Sequence, residues 1–275
     1  MSDLVPPSDA LPFDAQRELE AAVAVLERSS LAARLASVVG MPLDMLRSRL
    51  PGFVQSRLQG AVQASLGVAM RAALRSRPDA PSPIPSPWLH RGLATLTGAA
   101  GGALGLPGTL LELPVSTTVL LRQIAAVAAE QGEDLAHPRA GAECLAVFAL
   151  GARDPADDSA ESGYFAMRLG LAEAVRGVVG RSLLPGFVGV VASRFAGPVA
   201  LKLGAQAAPV LGAAAGVAIN LAFLEHFRGI AQAHFTVRRL EREHGAERVQ
   251  AAYAVLKERY DVPFHAPTRS RQAAT

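Results

Sequence analysis

The stretch from Leu203 to Leu224, LGAQAAPVLGAAAGVAINLAFL, runs twenty-two residues without a charge and most restricts what this chain can become. As one helix it would rise ~1.5 Å per residue and reach about 33 Å, close to the ~30 Å hydrocarbon core of a bilayer. Gly212 and Gly216 stand four apart, a spacing that lets two helix backbones approach closely. Asn220 is the only asparagine in the chain and reads as a hydrogen-bonding group that fixes register against a neighbouring helix. Pro209 suits a helix first turn, which leaves fifteen uncharged helical residues. A span needs about 20. The stretch therefore predicts close helix contact, in protein or partly in lipid, more than an independent crossing.

The rest of the chain agrees with that emphasis. Half of the 275 residues are hydrophobic, but only 5% are aromatic and 19% charged, and the mean hydropathy is +0.25. The apolar mass is Ala, Leu, Val and Gly, which favours helices packed through small side chains over sheets. The expected fold is all-α: a multi-helix bundle with Gly/Ala-rich central helices and a long helix in the C-terminal half.

Punctuation along the chain places the elements. Asp14 reads as an N-cap for a helix carrying Leu19, Ala22, Val23 and Leu26 on one face, broken only at Gly40 and Pro42. From Phe53 to Arg75, Val54, Leu58, Val62, Leu66, Met70 and Leu74 recur at helical spacing, with Arg57, Arg71 and Arg75 around them. Such a helix packs its stripe on a core or lies on a membrane surface. Five prolines between Pro78 and Pro87 form an extended linker, and Trp88 follows it, beside His90 and Arg91, as a candidate interfacial anchor or core residue. Gly98 and Gly102 repeat the four-residue spacing and could pack against Gly212 and Gly216.

Further helices are expected from Pro114 to a Gly132 C-cap, from Pro138 to Gly151, over about 164–179 and 182–203, from Pro209 to Gly245, and over 246–260. The organisation read from this is an Arg-rich helical region at 1–77, the linker at 78–87, a main helical domain at 88–260 and a tail at 261–275.

Charge is unevenly distributed. From Arg28 to Arg91 there are nine arginines, no lysine and two aspartates; from Glu130 to Glu161 there are eight acids and two arginines. This implies an acidic partner such as anionic lipid, attraction between two parts of the fold, or simply solvated faces. The N-terminus lacks the charged and apolar regions of a signal peptide, and the single Cys144 lies in an apolar run, so the cytoplasmic side is expected.

Catalytic signatures are missing: no nucleophile elbow, phosphate loop or zinc motif is present. His226 and His234, eight apart on one helix, are offset by ~80° and suit no local metal site. No metal and no cofactor are expected. Glu112 is the only charge between Gly92 and Leu121, with Arg122 just beyond. Glu112 could pair with Arg122, His226 or Arg228, as a structural ion pair or cap; a proton carrier or general acid is the alternative. One carboxylate without a nucleophile or metal partner makes no mechanism. Glu112, Arg122, Asn220 and His226 form the candidate buried polar site.

Two segments then carry a resemblance. GLPGTLLELPVSTTVLLRQIAAVAAEQGEDL, followed later by APVLGAAAGVAINLAFLEHFRGIAQAHFTVRRLEREHG, resembles the EcsC protein family. The matching positions are Pro107-Gly108, Pro114, Arg122, Ile124, Ala128 and Gly132, then Pro209, Gly212, Gly216 and Asn220; Glu112 stands where that family's pattern has Asp. The resemblance covers about residues 88 to 260 and implies a bacterial, membrane-linked helical protein, of a family named for an operon neighbour of an ABC transporter. It implies no reaction.

The expected function is non-catalytic membrane or lipid association, accessory to a transporter-linked or other membrane process. Anionic lipid or a membrane protein complex is the expected partner, and nucleic acid is not. A lipid-modifying enzyme or hydrolase using Glu112, and a soluble carrier of an apolar ligand, are the alternatives.

Overall fold

The computed structural model of the chain describes residues 10–42, 44–45, 52–75, 113–153, 163–176, 185–206 and 212–261. Pro78 to Pro87, Trp88, Gly98, Gly102, Glu112, Pro209 and the 262–275 tail lie outside the described residues. Among the described residues there are helices and turns and no strand, so the fold is all-α. In chain order these are α1 (Phe13–Arg28), α2 (Leu31–Val39), α3 (Gly52–Arg75), α4 (113–130), α5 (Pro138–Leu150), α6 (Tyr164–Arg176), α7 (Pro185–Gln206), α8 (Gly212–His244) and α9 (Ala246–Asp261).

The uncharged stretch is divided between two helices: α7 ends at Gln206 and α8 begins at Gly212. At ~1.5 Å per residue the 33-residue α8 is about 50 Å long. It is the spine of the bundle, with α1, α2, α5, α7 and α9 packed against it. Five phenylalanines knit three of these elements. Phe148 of α5, Phe195 of α7 and Phe223 and Phe227 of α8 are buried, with ring centroids 4.7 to 6.0 Å apart across the edge-to-face and tilted pairs, and Phe187 lies buried on α7 in the same core. Such pairs add ~0.5–1.5 kcal/mol each beyond burial.

The expected first helix differs from the structure in two ways. It starts at Phe13 with Pro12 as N-cap, so Asp14 sits inside the first turn, where its charge favours the helix dipole without capping it. It also breaks at Ser29-Ser30. The Ser30 Oγ accepts the Ala33 N–H at 3.2 Å and starts α2, which ends at Gly40 in the left-handed region (φ 68°). A serine that caps competes with helix continuation, so the two-residue break costs little. The break turns the chain at the point where Ser29 meets α8.

The stripe of α3 faces protein. Leu58, Val62, Leu66 and Met70 are buried, and the helix packs on α7. Arg57 is exposed on the other side; Arg71 and Arg75 lie on α3 with their side chains outside the description. One core cluster joins Leu19 of α1, Leu35 of α2 and Leu66 of α3 to the residues of α4 through α9. Gly132 (φ 76°) and Gly245 (φ 91°) terminate α4 and α8 at left-handed positions, as expected from the sequence. Pro185 opens α7, while Pro198 lies inside it and removes one backbone hydrogen bond from a helix held between α3, α5, α6 and α8.

Candidate functional site

Among the described residues, several polar groupings are set into this apolar body, and three of them lie on α8. The first lies where α4, α7 and α8 meet. Ser116, Val119 and Leu120 of α4, Lys202 of α7 and Asn220, Phe223 and Leu224 of α8 line a small recess of about 10 Å³, room for about one water. Lys202 is 2% exposed and Asn220 4%. The Lys202 ammonium stands 5.6 Å from the Phe223 ring centroid, within cation–π range. The Ser116 hydroxyl donates to the Leu113 carbonyl at 3.2 Å. A buried ammonium and a buried amide thus share a wall with four large apolar side chains.

The second grouping surrounds His226, which is 2% exposed. Its Nε2 lies 2.8 Å from the Gly151 carbonyl and its Nδ1 3.2 Å from the Ser29 hydroxyl. A carbonyl only accepts, so Nε2 carries the proton and Nδ1 accepts from Ser29. Both ring nitrogens are satisfied in the neutral state. Burial lowers the His226 pKa from 6.5 to about 4, against the opposing Gly151 bond and with help from the Arg34 charge. His226 therefore joins the α1–α2 break to the end of α5.

The sign of the resulting pH dependence follows directly. Below pH 6.5 the unfolded chain protonates His226 while the folded protein does not, so stability falls with acid until about pH 4. At ~1.36 kcal/mol per unit, this is about 2 kcal/mol between pH 6.5 and 5. Urea titrations at pH 7 and pH 5 should show that loss, and His226→Gln should reduce the slope; equal slopes in both proteins would remove His226 as the cause.

The third grouping follows the charged half of α8. The buried His234 donates from Nε2 to Glu143 Oε2 at 3.2 Å and accepts the Tyr164 hydroxyl at Nδ1, 2.9 Å away. Arg238 binds Glu143 at 2.8 Å and Glu133 at 2.8 and 3.1 Å; Arg242 also binds Glu133. Arg168 forms a two-pronged pair with Glu241 at 2.7 and 2.9 Å. Burial pushes the Glu143 carboxyl up, but the His234 hydrogen bond and the Arg238 and Arg168 charges outweigh it and hold it at about 2. Burial pushes His234 down, so the pair is a neutral imidazole donating to a carboxylate.

Tyr164, His234 and Glu143 are connected in the order of a nucleophile, base and orienting acid. Yet Tyr164 is 1% and His234 0% exposed, and burial raises the Tyr164 phenol well above its usual range. No substrate reaches such a hydroxyl, so the chain of bonds positions helices α5, α6 and α8.

The described members of the expected polar site have other neighbours than one another. Asn220 lies in the recess and His226 near the α5 C-terminus, bonded to Ser29 and Gly151; Arg122 is half-buried on α4, and Glu112 lies outside the described residues. Gly216 is buried on α8 and Gly212 is its first residue. The acids Glu133 and Glu143 pair with α8 arginines. Lys202 was not singled out by sequence reasoning. The available signal was that it is one of only two lysines in the chain, set inside an apolar helix.

A model of the EcsC protein family matches residues 86–240. No curated protein and no solved structure matches the chain.

Proposed function

The chain belongs to the EcsC protein family, and from that premise we propose that it is a non-catalytic protein that associates with membrane lipid at the cytoplasmic face. The observation that carries this reading is the recess between α4, α7 and α8. Its buried Lys202 and Asn220 stand beside Val119, Leu120, Phe223 and Leu224, so polar and apolar groups share one small opening, a mixed surface against which a lipid's head and first carbons can lie.

A second feature supports it. Gly186–Ala205 of α7 is long and apolar enough to cross a membrane, with a mean hydropathy of 1.3, and 44% of that window is buried. Its outer side presents Val190, Ser193, Arg194 and Gly197, a mixture suited to the interface more than to hydrocarbon. The association is accordingly peripheral, with anionic lipid as the partner.

Fractionation of the expressed full-length protein tests the reading. The protein should sediment with membranes at low salt and be released by high salt or mild detergent. Quantitative recovery in the low-salt supernatant would overturn it.

A further inference from the structure

We infer that the layer formed by α2, α3 and α7 is the face that this protein lays on an anionic phospholipid bilayer. The proposal rests on the lipid-associated reading and adds where the lipid meets the fold. The three helices adjoin, since α7 packs on both α2 and α3. They carry six cations, Arg34, Arg57, Arg71, Arg75, Arg194 and Lys202, and not one acid. Lys202 is buried and adds nothing to the surface, whereas Arg34, Arg57 and Arg194 are exposed and make no ion pair among the described residues. Between α2 and α3 the sequence adds one acid, the exposed Asp44, against Arg47 and Arg49. Acids are concentrated elsewhere: α1 and α9, which pack on α8 and on each other, hold seven, with Glu18, Glu20, Glu247 and Glu258 exposed. Only the layer offers an anion unopposed positive charge.

The exposed sides of α3 and α7 meet in one surface. On α7, Gly186, Val190, Ser193, Arg194 and Gly197 share an exposed stripe, and on α3 Arg57, Gly60, Ala64 and Val68 do. At ~100° per residue the backbone positions of Arg71 and Arg75 continue the α3 stripe. The Gln63 amide, at the half-buried edge of that stripe, lies 3.9 Å from where a Cβ on Gly189 would stand, and Val190 is next to it, so the stripes adjoin. Each helix also shows water one valine: Val38 is 40% exposed, Val68 42% and Val190 38%. Arginine holds phosphate through its planar fork, and aliphatic side chains beside it can enter the acyl boundary. A nucleic acid would take the same charge but gains nothing from the valines, and no exposed aromatic among the described residues of the layer offers a base a stacking surface.

Two charge-matched double variants of the full-length protein test the face by sedimentation with phosphatidylglycerol and phosphatidylcholine vesicles. Arg57→Glu with Arg194→Glu reverses two exposed arginines of the layer; Arg17→Glu with Arg259→Glu reverses two exposed arginines of α1 and α9. A basic residue beside an anionic surface contributes about fivefold to partitioning, so the layer variant should lose about 25-fold or more and the other variant less than about threefold. A second reading uses a polarity-sensitive dye on Val190→Cys, with Val255→Cys of α9 as reference; Cys144 is buried and its thiol is pushed up to about 12, so it escapes labelling. Vesicles should shift the emission to the blue at 190 and leave it unchanged at 255, a comparison that holds even if the layer variant folds poorly. Equal losses from the two double variants, or equal dye shifts, would overturn the face and leave lipid association standing. Emission at 190 that is already blue without vesicles would show the face covered by protein, and a layer variant that loses duplex DNA but keeps its vesicle binding would assign the charge to nucleic acid; either overturns the proposal. A wild-type protein that never sediments with these vesicles removes the lipid-associated reading itself, and the face with it.

Discussion

Replacing Glu27 by Ala is expected to cost about 3–5 kcal/mol of unfolding free energy, a large fraction of what holds a domain together. Glu27 closes α1 and is 7% exposed. Its Oε1 accepts the Tyr253 hydroxyl at 2.6 Å, and its Oε2 accepts Arg153 at 2.9 Å. Arg153 also donates to the Leu26 carbonyl at 2.8 Å. One carboxylate thus joins α1, α9 and the segment after α5. Its removal leaves a guanidinium and a phenol in a buried site without their acceptor, and that unpaired state dominates the cost. Burial, and then the Glu27 charge, keep the Tyr253 phenol protonated and able to donate at any ordinary pH. Urea unfolding followed by circular dichroism measures the effect; a loss under ~1 kcal/mol would mean that the clamp is not closed.

The second large effect is expected from the smallest change, Gly151→Ala. The backbone there is right-handed (φ −73°), so alanine is conformationally acceptable and space alone decides. A Cβ would meet the Phe227 ring at 2.4 and 2.8 Å. That ring is fully buried and is flanked by Phe148, Phe195 and Phe223, so it has nowhere to move. Moving the backbone instead pulls the Gly151 carbonyl away from His226, which then loses the acceptor for its Nε2 proton. About 3 kcal/mol or more is expected, the upper end for overpacking. Thermal unfolding should show it, accompanied by changed near-ultraviolet aromatic signals. An unchanged midpoint would show that the ring yields more than the packing implies.

These two sites also mark where sequence reasoning stops. Helix ends at Gly40, Gly132 and Gly245 were legible because a left-handed backbone position selects glycine whatever surrounds it. The α3 stripe was legible as a period, and the structure turns it toward α7. The Ser29-Ser30 break was not legible, since Leu26, Leu31 and Leu35 continue an apolar face across it. Long-range pairs were invisible for a different reason. Glu27 and Arg153 are 126 residues apart, Glu133 and Arg238 are 105 apart, and no local spacing announces either pair. Asn220 was found through its isolation in an apolar run, and the same argument applied to Lys202 would have found its neighbour in the recess. Gly151 looked like a helix stop, which it is; its need for space beside Phe227 arises only in three dimensions.

Sedimentation of the purified full-length protein with vesicles tests the proposed function most directly. Vesicles of phosphatidylglycerol and phosphatidylcholine should carry the protein into the pellet at low salt, and phosphatidylcholine alone should carry much less. Raising the salt toward 1 M, where the screening length falls to about 3 Å, should return part of it to the supernatant. Protein that stays in the supernatant with both vesicle types at low salt would contradict lipid association as the role of this fold.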